Sequence, residues 1–262
     1  PPCADLIVRH QLRNVVIGCV DSNSLVAGKG IERLENAGIN VIVGVLENEC
    51  REHHKRFFTV LDKKRPYIIL KWAETKDGFI APLTKDEQKP VWITNSFSQQ
   101  LVHKWRSEEH AILVGTNTVI ADNPKLNVRS WSGENPVRIV LDRTLRILKE
   151  ANVFDEKIKT IVITALENDA SDENLIFEQI DFSEDLAKQV CKVLQKHQIQ
   201  SVIIEGGLQT LQSFINASFW DEARVFVGEN EFEDGVAAPV IYGNTIEELK
   251  IKKDTLKIIL ND

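Results

Sequence analysis

The sequence predicts an α/β protein on a largely parallel sheet, and three observations carry that expectation. Short apolar runs alternate with helix-period segments from end to end. One strand runs straight into a glycine pair that opens a helix, and a basic, proline-ended break divides the pattern in two.

Ahead of the break, residues 3–11 read as a short helix, 14–20 as an apolar strand, and 30–37 as a helix stopped by Gly38. Residues 40–44 form the next strand, and 47–61 a charged helix with Phe57 and Phe58 near its end. The break itself is Lys63-Lys64-Arg65-Pro66, so the expected domains are 1–62 and 66–262. Beyond it the strand 67–73 restarts the pattern. A helix over 96–106 follows, with Leu101 and Trp105 on one face, then strands over 111–114, 137–141 and 160–164. The polar run 167–174 reads as a surface loop. Ser183 is expected to cap a helix whose first turn holds Glu184 and Asp185, with Leu186, Val190 and Leu194 along its apolar face. The strand 201–205 then feeds a helix with Leu208, Leu211 and Ile215 inward, and two late strands close the chain.

Composition narrows the function. The chain has 262 residues, 43% apolar and 27% charged, and a formal net charge of -7, which disfavours a nucleic-acid partner because duplex binding draws on Lys and Arg. No apolar stretch is long enough to span a membrane and no secretory h-region opens the chain, so a small-molecule partner is expected. Cys3, Cys19, Cys50 and Cys191 are widely spaced with no C-x-x-C, which points to a reducing, cytoplasmic setting. The chain opens on Pro1-Pro2 and contains no methionine, from which either a truncated start or methionines missing from the sequence as written are expected.

Three stretches can carry chemistry. In Ser201-Val-Ile-Ile-Glu205-Gly206-Gly207-Leu208, glycines at a helix start offer either a cradle for a pyrophosphate or simply a tight turn. Gly115-Thr116-Asn117-Thr118, with Asp122-Asn123-Pro124 and Leu126-Asn127-Val128-Arg129, sits at a strand's carboxyl end. There it can face a ligand crevice or merely cap a helix and turn. Arg106 and Arg129 can together grip a phosphate, or be surface charges. The third stretch is Lys71 to Gly78, where Asp77-Gly78 marks a turn; Trp92 can cover a flat ring or belong to the core. The six histidines are without a partner at ligand spacing, and none is assigned to a metal.

Taken together these motifs resemble a known family. Pro1-Pro2-Cys3-Ala4-Asp5, Asp21-Ser22-Asn23, Gly28-Lys29-Gly30 and Ala37-Gly38-Ile39 resemble the end of the cytidine-deaminase-like domain of bifunctional riboflavin-biosynthesis deaminase/reductases. Lys71 to Gly78, Trp92-Ile93-Thr94, Trp105 to Glu108, Ala111 to Thr118, Asp122 to Pro124, Arg138 to Asp142 and Glu205-Gly206-Gly207 resemble their reductase domain. The resemblance implies a dihydrofolate-reductase-like fold for 66–262, preceded by the C-terminal part of a cytidine-deaminase-like α/β zinc domain. It also implies homodimers and NADPH-dependent reduction of 5-amino-6-(5-phosphoribosylamino)uracil to 5-amino-6-(5-phosphoribitylamino)uracil.

By motif position the resemblance sends Glu74, Trp92, Thr118, Asp122 and the run Gly207, Leu208, Gln209, Thr210, Leu211, Gln212 and Ser213 to NADPH. Arg106, Leu126, Arg129 and Glu205 go to the substrate, the two arginines forming a buried pair on its phosphate. Glu205 or Asp122 relays a proton, or else holds ribose hydroxyls. Glu74 stands where the family usually has a small residue, and Pro90 where it can offer a hydroxyl. Arg143, after the strand 137–141, can pair with the cofactor's 2′-phosphate or be a solvated turn residue. The family's zinc site needs a His, two Cys and a His-x-Glu. Cys3 matches the last cysteine ligand, but no His-x-Glu occurs, so zinc and deamination are expected only where the missing ligands are present. Beside an active reductase stand two other readings: the bifunctional enzyme, and a non-catalytic NADPH-binding or assembly module of the same fold.

Overall fold

The computed structural model describes residues 2–22, 28–168, 170 and 172–261. Pro1, residues 23–27 of the motif running from Asp21 to Gly30, and positions 169 and 171 of the polar run lie outside the described residues. The chain divides into two compact units, Pro1–Arg65 and Pro66–Asp262.

The first unit holds α1 (Cys3–Arg9), β1 (Asn14–Ile17), α2 (Lys29–Asn36), β2 (Asn40–Val43), α3 (Glu47–His53) and α4 (Lys55–Lys63). β1 and β2 pair in parallel, Asn14 beside Asn40 through Ile17 beside Val43. The single helix expected over 47–61 is broken at His54, whose φ of -102° and ψ of 22° leave the helical region. Two consecutive histidines, weak helix formers, stand at the break.

The second unit is built on β3 (Tyr67–Glu74), β5 (Ala111–Gly115), β6 (Val137–Leu141), β7 (Thr160–Thr164), β8 (Leu175–Gln179), β9 (Ser201–Gly206), β10 (Glu222–Val227), β12 (Asn244–Ile251) and β13 (Asp254–Leu260). They lie in the order β12-β13-β10-β3-β9-β5-β6-β7-β8. From β10 to β8 every neighbouring pair is parallel, while β13 and β12 run antiparallel. Two short strands, β4 (Phe79–Ala81) and β11 (Val236–Ala237), pair apart from this sheet.

Strand alternation sets the layers. Ile68 and Leu70 of β3 face α7 (Leu186–Lys196) and α8 (Leu208–Asn216), packing in one core with Val190, Leu194, Leu211 and Phe214. Tyr67 and Ile69 point the other way, to Val102 and Trp105 of α5 (Ser96–Glu108) and to Phe226. Burying residues on both faces explains why these strands read as continuous apolar runs.

Three local expectations are corrected. Asp185, not Ser183, caps α7: its carboxylate accepts the Lys188 N–H at 3.1 Å, while Ser183 is engaged with Asp181. In α8 the fully buried residues are Leu211 and Phe214, with Leu208 and Ile215 half-buried. Where two late strands are expected, β10, β11, β12 and β13 follow α8; within β10, Glu222 accepts from Arg224 Nε at 2.6 Å and from the Tyr67 hydroxyl at 2.9 Å. The Arg224 guanidinium also lies 4.5 Å over the Trp105 ring.

Candidate active site

The parallel strands end on one edge of the sheet, where an open α/β sheet places its ligand. β3 and β9 run in register from Tyr67 beside Ser201 to Leu70 beside Ile204, so Lys71 and Glu205 come next on neighbouring strands. By strand parity both leave the sheet on the face of Ile69 and Ile203, the face that α5 covers. α5 presents His103 and Arg106 there, one helical turn apart.

Arg106 meets Glu205 as a fork, Nε donating to Oε1 at 3.2 Å and Nη2 to Oε2 at 2.7 Å. The two side chains are only 12% and 9% exposed. The remaining Arg106 nitrogen, Nη1, donates to the Asn127 carbonyl at 3.3 Å. Burial would raise the Glu205 pKa, but Arg106 and then Lys71 outweigh it and hold the carboxyl at about 2. Burial pulls Lys71 below its ordinary value, against the opposing pull of Glu205. His103, 4% exposed, is pushed down to about 4 by burial and then by Arg106 and Arg129, and is neutral at pH 7. Lys71, Arg106 and Arg129 thus set three cations against one carboxylate, a local field that favours an anion.

The expected buried arginine pair is not found. Arg106 is committed to Glu205, and Arg129 is exposed, its Nη1 donating to Asn127 Oδ1 at 3.2 Å. Phosphate contact by Arg106 would have to compete with a carboxylate already in place.

Beside this cluster lie the ends of β5 and β9. A Cβ on Gly115 would come within 2.8 Å of Thr210 Oγ1, and one on Gly207 within 3.3 Å of Thr118 Oγ1, so glycine at both positions lets these backbones and hydroxyls lie close. The Gly206–Gly207 peptide is cis. α8 begins at Leu208 behind the N-cap Gly207, with no side-chain cap, leaving first-turn N–H groups to serve an anion at the positive end of the helix. Thr118 and Asp122 share one side of α6 (Thr116–Asp122), and Asp122 is ion-paired with Lys85.

Other positions fall elsewhere. Leu211 is core, and Ser213 Oγ donates to the Gln209 carbonyl at 2.7 Å. Gln212 holds the Val240 backbone through both ends of its amide. The Leu126 side chain packs with Val114, Val119 and Val140, not in the crevice. Glu74 accepts from Trp72 Nε1 at 2.8 Å, and Trp92 is 54% exposed, which removes the core reading for it. Arg143 follows β6 on the surface, its guanidinium 5.9 Å from the Phe182 ring centre. The Asp77-Gly78 turn is a loop anchor, Asp77 accepting the N–H groups of Phe232 and Glu233 at 3.0 and 2.8 Å. Cys3 is exposed, and among the described residues no three His, Cys, Asp or Glu side chains gather to hold a metal.

Sequence reasoning gives Lys71 and His103 no individual role. A lysine inside an otherwise buried apolar strand is itself a signal, because such a charge needs a partner. The position of His103 three residues before Arg106 is another.

A family model described as the RibD C-terminal domain matches residues 66–229. The riboflavin biosynthesis protein RibD of Aquifex aeolicus (strain VF5) is 40% identical over 272 aligned residues, covering 100% of this chain and 74% of that protein. The RibD of Actinobacillus pleuropneumoniae is 31% identical, covering 100% of this chain and 72% of that one. Among solved structures, a diaminohydroxyphosphoribosylaminopyrimidine deaminase/5-amino-6-(5-phosphoribosylamino)uracil reductase from Thermotoga maritima superimposes with a TM-score of 0.88 at 32% identity, over 100% of this chain and 75% of that chain.

Proposed function

The chain belongs to the RibD C-terminal domain family, and on that premise we propose that its 66–262 unit reduces 5-amino-6-(5-phosphoribosylamino)uracil to 5-amino-6-(5-phosphoribitylamino)uracil with NADPH. The observation that carries this reading is the Lys71, Arg106, Arg129 and Glu205 cluster, set beside an uncapped helix start at the same sheet edge.

The residues fit the cofactor. The Gly115 and Gly207 backbones, the hydroxyls of Thr118 and Thr210 and the first-turn N–H groups of α8 suit a pyrophosphate. Bound NADPH supplies a hydride, which the reaction needs at the sugar's anomeric carbon. The chain's residues supply the rest. Arg129, its positive charge disfavoured by burial and by the nearby Arg106, meets the substrate phosphate, whose binding orients the remote reacting end. Lys71 provides a proton to the sugar ring oxygen as the ring opens. Glu205, held as a carboxylate, does not donate a proton; it fixes Lys71 and Arg106 and accepts from sugar hydroxyls. Asp122 is left to the cofactor, next to Thr118.

The 1–65 unit is assigned to a cytidine-deaminase-like domain, as the Thermotoga relative's printed activities suggest. Cys3 alone does not make a zinc site, so these residues are assigned no deamination step. Homodimerisation and a cytoplasmic setting complete the proposal; among the described residues no helix is long and apolar enough to cross a membrane.

Mixing the chain with NADPH and the phosphorylated aminouracil should consume NADPH absorbance and yield the ribitylamino product. Tight NADPH binding without turnover would favour the non-catalytic module instead.

A further inference from the structure

The stretch 123–136 between α6 and β6 contains no helix or strand, yet it carries Arg129. Its internal ties are Val128 N–H to Asn135 Oδ1 at 2.7 Å and Arg129 Nη1 to Asn127 Oδ1 at 3.2 Å. These shape the loop without saying where it sits. Two further bonds join it to α5: Arg106 Nη1 donates to the Asn127 carbonyl at 3.3 Å, and the Arg129 N–H donates to His103 Nδ1 at 3.4 Å. Gly133 also approaches Ser107 of α5 so closely that a Cβ there would lie 2.5 Å from the Ser107 Cβ. Arg106 is already held by Glu205, which leaves His103 as the α5 side chain in contact with the Arg129 backbone itself.

We propose that His103 is a positioning residue, whose neutral imidazole pins the Arg129 backbone to α5 and so fixes where the Arg129 guanidinium meets the substrate's phosphate. The inference rests on the assignment of Arg129 to that phosphate. Accepting at Nδ1 assigns the ring proton to Nε2, and a doubly protonated ring would lose the acceptor. The charges facing the ring are Arg106 on its own helix, Arg129 on the loop and Glu205 on β9, with Lys71 of β3 behind Glu205. Burial and the two arginines outweigh Glu205 and the ring's hydrogen bond to the Asn127 backbone, and hold His103 at about 4, so the pin stays closed throughout neutral pH.

The test compares His103→Leu, which removes the acceptor, with His103→Asn, which restores one near Nδ1. His103→Leu should raise KM for the phosphorylated substrate roughly tenfold, as expected for one lost hydrogen bond. It should leave kcat within about threefold and NADPH affinity unchanged. His103→Asn should return KM to near the wild-type value, and neither change should alter KM for dephosphorylated substrate. Independently of activity, hydrogen exchange at the Arg129 amide should be slow in the wild type and His103→Asn and fast in His103→Leu. Nitrogen NMR of the wild-type imidazole should show a neutral ring with Nδ1 unprotonated from pH 5 to 8; titration near the ordinary value of 6.5 would overturn the inference without any variant. An unchanged KM in His103→Leu, alongside a raised one in Arg129→Ala, overturns the His103 role alone. An unchanged KM in Arg129→Ala removes the phosphate assignment and this inference with it.

Discussion

Arg106 and Glu205 hold each other through two nitrogen–oxygen bonds, at 3.2 and 2.7 Å, although both belong to the face where substrate is expected. Removing one partner of a nearly buried pair strands the other, at a cost of about 3–5 kcal/mol. Glu205→Leu and Arg106→Met should each lower stability in urea unfolding by that order, and the double change by clearly less than their sum. The folded Glu205 carboxyl titrates at about 2, below its ordinary 4.5, so its contribution is fully present above pH 4.5 and is lost as pH falls toward 2. Glu205→Gln should flatten that acid limb; an unchanged limb would assign it to other carboxylates.

Of the cluster, Glu205 is held ionised and His103 neutral, which leaves Lys71, lowered from its ordinary value by burial, as the proposed proton donor. Lys71→Met should lower kcat by roughly 10²–10⁴, the usual contribution of a positioned acid, with NADPH affinity kept. Because burial lowers the Lys71 pKa, wild-type activity should fall as pH rises through a value below 10.5. In Lys71→Arg that alkaline limb should move upward. A limb in the same place for both proteins would acquit Lys71.

Gly115→Ala places a methyl group 2.8 Å from Thr210 Oγ1. NADPH binding, followed by fluorescence, should weaken by about tenfold as α8 is pushed from the strand end, a modest packing penalty of roughly 1–3 kcal/mol. Adding Thr210→Ala removes the clashing atom and should recover most of the stability lost in urea unfolding, but not the NADPH affinity, because the same hydroxyl is assigned to the pyrophosphate. Recovery of NADPH affinity by the double change would remove Thr210 from the cofactor site.

Arg143→Ala should raise KM for NADPH roughly tenfold or more while leaving NADH nearly unchanged, as for loss of a charge-assisted contact of about 1.5–3 kcal/mol. Equal effects on both cofactors, or none on either, would leave Arg143 to its contact with the Phe182 ring and its pull on Asp181.

Strands β3, β5, β6, β7 and β9 are legible in the sequence because both of their faces are buried, which writes them as unbroken apolar runs. The late strands are legible only as a pair without bounds, because the charges of β10 pair inside the protein with Tyr67 and with each other, a pairing that no local pattern encodes. The same limit applies to the site. Arg106, Glu205 and Gly207 stand in recognisable motifs, but the nearness of Lys71 to Glu205 exists only through the register of β3 against β9. Leu126 shows the converse: its motif is clear, yet a φ of 52° accompanies a side chain turned into the core.

β3 obtains both its neighbours from the far end of the chain, Tyr67 lying beside Ser201 and Ile69 beside Glu222. At synthesis rates of about 5–20 residues per second, β3 leaves the ribosome roughly 7–27 s before β9 exists to pair with it. Through that interval Ile68, Ile69 and Leu70, all at 0% exposure in the finished protein, have an open edge on either side. β5, β6, β7 and β8 meet no such delay, since each pairs with the strand made just before or after it. The nascent chain therefore assembles from its middle, and the slot that β3 fills between β9 and β10 is the last part of the parallel sheet to close and the part most open to chaperones or to a neighbouring chain.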